Sequence, residues 1–341
     1  MKVLSLFLTS FVPYIFGDTE CPIVSTFGDR RTNKYALRLV QYNVEWLFID
    51  YYEPADCPGN GCAWHTLNEA ETHLNNVVNV LQDLQPDIIN FCEIEGCDEL
   101  NILKSYLGDS YYPYLKKGTD SATGQNVGIL TKVDPIVSLY RSEEKIAYPI
   151  SGTKCGSTTA SGTSGVSKHY ITEFKLNYGL KVAMIGAHLL AIPTDPARCV
   201  QREAQAQVLQ NIVSSYIERE YEIILLGDMN DFDAETLDIN SDKPSSRVLD
   251  IIKGLDGQKK GTYELTNIAY RINQNERYSD WWDSDNNCNT SSQKDYSMID
   301  HILVTPYIDK KIVDAFIYHG YKEYCGKWYS DHYPVVVDFV F

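Results

Sequence analysis

No stretch of this 341-residue chain strings together the roughly 18–20 apolar residues that a membrane-spanning helix needs. Basic residues are scarce as well: 30 Lys and Arg stand against 46 Asp and Glu, a formal net charge of −16. Such acidity excludes a protein that coats nucleic acid by bulk charge. It leaves room for an enzyme that meets a phosphodiester through a few groups and a metal. There is no low-complexity tract and no repeat of fixed period. With 44% hydrophobic and 22% charged residues, the composition excludes a disordered chain, a collagen-like repeat and a disulfide-only miniprotein. A chain this long buries a large core.

The first residues read as an address rather than as structure. Lys2 is followed by the apolar run 3–8 and by a weaker apolar stretch that ends at Gly17 before a polar start. That is the pattern of a secretory signal peptide over residues 1–17, with residues 18–341 forming a single secreted, extracellular domain. Nine cysteines suit an oxidising compartment. Pairing candidates are Cys57 with Cys62 around a Pro58-Gly59-Asn60-Gly61 turn, Cys155 with Cys199, and Cys288 with Cys325. The odd count leaves one thiol unpaired or bridging chains. A zinc site of Cys57, Cys62, His65 and His73 is disfavoured, because no second cysteine pair lies nearby. Asn289-Thr290-Ser291 is an N-glycosylation acceptor sequence if the secretory route is eukaryotic.

Residues 36–48 alternate like a buried strand. Leu67, Ala70, Leu74, Val77, Val78, Leu81 and Leu84 recur at spacings of three and four, one apolar helix face that Pro86 ends. Strands are expected at 88–94, 127–131 and 136–140, a helix at 97–107, and a Gly/Ser/Thr-rich surface loop at 151–167. The second half repeats this grammar, with strands at 170–176, 181–188, 223–226, 299–304, 312–319 and 335–341. Helices are expected from about 196 to 220 and near 246–255, and a polar, aromatic stretch runs through Trp281-Trp282. Helices follow strands in both halves, so two sheets faced by helices is the natural layering, in one domain.

The informative residues are polar groups at the ends of apolar strands, where burial is costly without a partner or ligand. Asn43 and Glu45 lie two apart near the end of the first strand, so both are expected on one face. Glu93 interrupts IINFCEIEG, and His188 ends KVAMIGAHLL. Asp228 and Asn230 follow ILLG, Asp300 lies between SMI and HILV, and Asp331 and His332 sit in SDHYPVVV. Each alone reads as a turn, a cap or a satisfied core histidine. Together, six strand ends presenting acceptors and imidazoles point to a site. Carboxylates and carboxamides suit a hard cation such as magnesium, manganese or calcium, and the imidazoles supply acid–base groups near neutral pH.

QYNVEW, FCEIEG, GAHLLA, GDMND, SMIDH and SDHYP, in this order, resemble the endonuclease/exonuclease/phosphatase superfamily, which includes deoxyribonuclease I. The resemblance runs from about residue 39 to 334. It implies an α/β fold, a four-layered α/β/β/α sandwich of two packed mixed sheets flanked by helices, with a metal-dependent site at one end. It implies Glu93 as principal metal ligand, helped by Asn43 and Glu45, with Asp331 completing or flanking the shell and Mg2+ as the cation, Mn2+ or Ca2+ being alternatives. It also implies that His332, paired with Asp300, acts on water or contacts the phosphate, that Asp228 and Asn230 orient the nucleophile, and that His188 is the second imidazole. His188 argues against the apurinic endonucleases, where that position resembles Asn. The usual Gln before the metal-binding Glu is Cys92 here. The usual Arg near residue 170 has no clear match, so Lys168 or His169 is its candidate replacement. The aromatic phosphate contact falls on Tyr112, with Tyr111 and Tyr114 as alternatives. Lys116 and Lys117 read as a solvated turn and His301 as structural, while Trp281-Trp282 is either a base-stacking pair or a cover over the core.

The leading expectation is therefore a secreted, divalent-metal-dependent nuclease whose partner is nucleic acid, DNA above RNA. No protein partner and no stable membrane insertion are expected, and the chain is read as a monomer. A sphingomyelinase-like or other phosphoester hydrolase of the same fold is the alternative. It lacks an obvious apolar hairpin for a bilayer, and the inositol-phosphatase branch is disfavoured by ILLGDMND and YSMIDHIL. A secreted binding protein that has lost catalysis is the reading from another class, against which every cluster still carries competent residues.

Overall fold

A computed structural model of the chain describes residue 21 and residues 27–48, 64–256, 260–261, 263–283, 285, 287–289, 291–321 and 327–341. The expected signal peptide, Cys57, Cys62, Cys325 and Thr290 lie outside the described residues. The first half runs β1 (Ala36–Leu47), α1 (Leu67–Leu84), β2 (Ile88–Ile94), α2 (Cys97–Leu107), β3 (Tyr112–Leu115), β4 (Asn126–Thr131), β5 (Val137–Tyr140), β6 (Ile146–Tyr148) and β7 (Gly162–Ser164). The second half runs β8 (Lys168–Lys175), β9 (Lys181–His188), α3 (Pro196–Ile217), β10 (Glu222–Asp228), α4 (Val248–Ile252), β11 (Thr266–Asn267), β12 (Asp280–Trp281), β13 (Tyr296–Ser297), β14 (Asp300–Val304), α5 (Pro306–Asp309), β15 (Ile312–Ile317) and β16 (Val335–Val340).

Two six-stranded sheets carry the fold, in the orders β15-β16-β1-β2-β4-β3 and β11-β14-β10-β9-β8-β5. Each is mixed, with one central parallel pair (β1 with β2, β9 with β10) among antiparallel neighbours. The two-residue period of a strand decides what each face meets. Val182, Met184, Ile224, Leu226, Ile302 and Val304 face the first sheet and share its core. Their neighbours Ala183, Ile185, Ile223, Leu225 and Leu303 pack instead on Ala206, Leu209 and Val213 of α3 and on Leu249 and Ile252 of α4. Helix α1 covers the first sheet with Leu74, Val77, Val78 and Leu81. The layering is α/β/β/α.

Caps set where the long helices begin. Thr66 accepts the Glu69 N–H at 3.3 Å, and Asp195 accepts those of Ala197 and Arg198 at 2.7 and 2.9 Å, ahead of Pro196 in the first turn. The Gly/Ser/Thr-rich stretch expected as a bare surface loop departs from that reading. It contains β7, which pairs with β6 and lies on α3. The Cys155–Cys199 disulfide ties the same stretch to α3. This cover contributes to the burial of Glu203 and Gln205, which bond to the Lys154 N–H at 3.5 Å and the Gly165 carbonyl at 3.2 Å, while Arg202 is buried against Asp231 and the carbonyls of Leu190 and Ile192. A second disulfide, Cys21–Cys97, was not legible from spacing, and Cys288 is also disulfide-bonded. Cys92 is the unpaired thiol among the described residues, and burial pushes its ionisation well up.

Polar side chains stitch the sheets together. Gln41 of β1 donates to Asp300 of β14 at 3.0 Å, and Asn90 of β2 donates to Gln41 and accepts from the Tyr170 hydroxyl of β8 at 2.7 Å. Gly186 of β9 is what lets Tyr170 and Asn90 meet, because a Cβ there would run into both side chains. Gly186→Ala should therefore cost about 1–3 kcal/mol, the usual penalty for overfilling a packed core. Thermal melting of the variant checks this, and an unchanged midpoint would mean that the seam is loosely packed.

Candidate active site

The carboxyl ends of β1, β2, β9 and β10 open at one end of the sandwich, and the starts of β8 and β14 open there too. Asn43 is the hub. Its amide nitrogen lies 3.2 Å from Glu93 Oε1, 3.0 Å from Asp228 Oδ2 and 3.4 Å from His332 Nε2. Its oxygen accepts the Glu45 N–H at 3.1 Å, so the carboxamide presents a donor to the site rather than a ligand oxygen.

Strand alternation alone would turn Glu93 towards the helices, because its neighbours Asn90 and Cys92 bond across to Tyr170 and to the Ala187 carbonyl. The backbone breaks that rule. Glu93 has φ 67°, and the register shifts between Cys92 and Ile94, a bulge that swings its carboxylate into the site. Its Oε2 then accepts from Gln125 Nε2 at 2.7 Å and from the Trp46 N–H at 3.2 Å. A second irregularity, with Glu45 at φ 45° and Trp46 at φ 51°, ends β1. It directs the Glu45 carboxylate onto the Asp331 N–H at 3.1 Å.

On the second sheet, Asp228 accepts the Asn230 N–H at 2.8 Å, and Asn230 donates its amide to the Leu189 carbonyl at 3.3 Å. His188 Nε2 stands 3.5 Å from Asp228, 3.8 Å from Glu93 and 3.5 Å from Lys168 Nζ. Burial, with Lys168 and His332 beside it, holds His188 well below the usual imidazole range. His332 is the opposite case. Its Nδ1 pairs with Asp300 Oδ2 at 2.7 Å, and its Nε2 faces Asp280 at 3.6 Å and Asp331 at 3.8 Å. Burial alone would lower it, but Asp300 and Asp331 raise it well above the usual range.

The other carboxylates crowd one another. Burial and the Asp300 charge push Asp228 up to about 8. Burial and the charge of Asp280 bring Asp331 to about 7, and burial brings Asp280 to about 6. Carboxylates crowded in this way are stabilised in their charged form by a cation placed among them. Two groups have ligand atoms within 4.8 Å of one another, Glu93 with His188 and Asp228, and Asp280 with Asp331 and His332. Oxygen-rich donor sets of this kind fit a hard divalent cation.

The structure thus brings Asn43, Glu93, His188, Asp228, Asn230, Asp300, Asp331 and His332 to one place, with Glu45 acting on the Asp331 backbone. Lys168 joins them, 3.1 Å from the Gln125 oxygen and 3.7 Å from Asp120. His169 does not. It points away from the site, with its ring nitrogens at the Val166 carbonyl (2.7 Å) and the Ser142 N–H (2.9 Å). Tyr112 is also elsewhere, since it pairs with Thr131, opposite the start of β2, and lies under Arg30 and Lys104. Tyr111 and Tyr114 are tied to the Pro86 carbonyl (2.5 Å) and to Asp134 (2.7 Å) at that same far end. His301 is structural, bound to Asn267 and to the Asp231 carbonyl. The zinc reading of His73 fails because both ring nitrogens face backbone carbonyls. Trp281 is buried, whereas Trp282 is 67% exposed. Sequence reasoning missed Gln41, Gln125, Ser279 and Asp280. Gln41 opens the QYNVEW motif and was the legible one; Gln125 lies near none of the motifs, and Asp280 carried no signal beyond its place before the two tryptophans.

The sequence profile of the Endonuclease/Exonuclease/phosphatase family matches residues 40–332. Among curated proteins none matches the chain by sequence. Solved structures share the fold. A truncated Caenorhabditis elegans TDP2 aligns with a TM-score of 0.53 at 15% identity, covering 90% of this chain and 98% of that one. The 3′ phosphatase NExo from Neisseria, bound to a product DNA hairpin, aligns at 0.56 and 15% identity, covering 89% and 100%. A family protein from Bacteroides thetaiotaomicron aligns at 0.50 and 17% identity, covering 90% and 95%.

The crowded carboxylates predict a pH signature. Asp228, Asp331 and Asp280 hold their protons in the folded chain up to about 8, 7 and 6, whereas the unfolded chain releases them near 3.8. Without a cation each contributes stability that is full below about pH 4 and is lost as pH rises through those values. His332 acts in the same sense, and His188, lowered, in the opposite one below about pH 6.5. A divalent cation must displace the protons at low pH. Magnesium should therefore raise the melting temperature over EDTA more at about pH 8 than at about pH 5.5. An equal gain at both would place the cation on other groups.

Proposed function

The chain belongs to the endonuclease/exonuclease/phosphatase family, and on that premise we propose that it is a secreted, divalent-metal-dependent phosphodiesterase that hydrolyses DNA. One observation carries the reading: an Asp300-braced imidazole and a second imidazole flank the Asn43-centred pair of Glu93 and Asp228, the first raised by its carboxylate neighbours and the second lowered by burial. Two titratable groups pushed apart by their surroundings divide acid and base work between them. His188, held neutral, accepts a proton from the attacking water. His332, held charged by Asp300, contacts a phosphoryl oxygen and donates.

Glu93, Asp228 and Asp331 would hold a divalent cation, magnesium in this reading, which offsets the negative charge that grows on the phosphoryl oxygens. Enzymes of this family use such ions, and the donor set suits them. Lys168 supplies the cationic contact to the substrate phosphate, in place of an arginine. Asn43 and Gln125 orient the Glu93 carboxylate by donating to both of its oxygens. DNA as substrate draws support from the shared fold of the Neisseria phosphatase bound to a DNA hairpin. The Cys21–Cys97 and Cys155–Cys199 bonds support an oxidising, extracellular destination.

The test is supercoiled plasmid with magnesium or manganese, beside an EDTA control and the Glu93→Ala and His332→Ala proteins. Nicking that needs the cation is expected, with His332→Ala slowed about 10²- to 10⁴-fold, the usual worth of a positioned acid or base. Wild-type rates in both variants would refute the site. An intact plasmid together with cleavage of bis(p-nitrophenyl) phosphate would keep the phosphodiesterase and move the substrate to another phosphoester.

A further inference from the structure

The segment 327–332 carries Asp331 and His332, yet it belongs to no strand. Its ladder contact is a single bridge between His332 and Asp280. Side chains hold it instead. Ser330 Oγ donates to the Asn43 carbonyl at 2.8 Å and accepts the His332 N–H at 3.0 Å. From the outer layer, α1 sends two more. Asn76 Nδ2 donates to the carbonyls of Lys327 at 3.0 Å and Trp328 at 2.9 Å. His73, only 1% exposed, spans the gap between the end of β1 and the segment that carries Asp331. Its Nε2 lies 2.6 Å from the Val44 carbonyl, between Asn43 and Glu45, and its Nδ1 lies 3.0 Å from the Trp328 carbonyl.

We infer that His73 is a positioning residue, a clamp from α1 that fixes Asp331 and His332 against the end of β1 and so sets the spacing of the proposed cation ligands. The inference rests on the reading of the site given above. Three observations carry it. The ring reaches carbonyls on both sides of the joint, one of them beside Asn43 and the other three residues before Asp331. The Trp64 indole stacks on the ring with centroids 4.0 Å apart, and its own N–H is anchored on the Trp46 carbonyl at 2.7 Å, so the imidazole has little freedom to turn. Glu45, between the clamped carbonyl of Val44 and Trp46, itself accepts the Asp331 N–H. Burial lowers the ring to about 4, so it is neutral near pH 7 and its one N–H donates to one of the two carbonyls while the ring packs between them. Groups of this kind, one step behind the ligands, commonly carry 10- to 100-fold of metal affinity.

The experiment is calorimetric titration of magnesium into the substrate-free protein, for wild type, His73→Phe and Asn76→Ala, with thermal melts of each. His73→Phe keeps the stacking face and removes both nitrogens. It should fold with a cooperative melt and bind magnesium about 10- to 100-fold more weakly. Asn76→Ala, at a half-buried position, removes the second donor to Trp328 and should weaken binding in the same direction. Wild-type affinity in both variants overturns the clamp while leaving the site standing. If His73→Phe does not melt cooperatively, Asn76→Ala decides alone, and wild-type affinity there overturns the clamp. Wild-type protein that binds no magnesium overturns the reading of the site, and the clamp with it.

Discussion

The Asp300 carboxylate is the joint on which the rest of this molecule depends. One oxygen accepts from Gln41 of the opposite sheet at 3.0 Å, and the other accepts from Ser279 at 2.9 Å and pairs with His332 at 2.7 Å. A single buried charge thus ties the two sheets together and aims an imidazole. Such a charge would be prohibitively costly without full pairing. Its three partners come from β1, from the residue before β12 and from the segment before β16, so the carboxylate is satisfied only when the whole sandwich has assembled. The proposed chemistry and the packing of the sheets therefore share one interaction.

Around that joint the backbone gives up regularity. Glu45, Trp46, Glu93 and Asn230 all have positive φ, and each sits at or beside the proposed ligands. Left-handed conformations of non-glycine residues cost free energy and persist only where the surroundings over-determine them. Here the surroundings do so. Glu93 is held by the Trp46 N–H and by Gln125, and Asn230 by Asp228 and the Leu189 carbonyl. The strain re-aims the Glu93 carboxylate, which a straight strand would send into the helix layer. The cluster so formed is too negative to keep all its charges, which is why Asp228 and Asp331 cling to their protons and why the pocket suits a cation.

Much of the fold was legible because the patterns were strong. The helix of residues 67–84 and the strands of β2 and β9 stand where periodicity placed them. The layers followed from strands alternating with helices. Weak patterns were lost: β3 holds only Tyr112–Leu115 with Pro113 inside, and β7 lies within a Gly/Ser/Thr stretch that reads as loop. These short strands exist because a neighbouring edge or helix accepts them, not because of their own propensity. The same holds for the disulfides. Cys155 with Cys199 was one of several pairings open on spacing, and Cys21 with Cys97 came from the meeting of two distant segments.

The sequence by itself determined which residues could do chemistry: polar groups at the ends of apolar strands, in an order that marks one family. Their placement at strand ends was enough, because strands of one sheet end together. Tertiary structure alone decided which of them share a space. Lys168 and His169 are adjacent in the chain and were equal candidates. One lies beside His188, its register partner on β9, and the other is sealed behind the sheet, since successive side chains of a strand point to opposite faces. Glu93 shows the reverse, a residue that alternation would place outside and a bulge brings in. Gln125, Asp280 and His73 became visible only when loops and a helix far apart in sequence were folded against the motifs. No local pattern encodes that meeting, because it depends on the packing of whole layers.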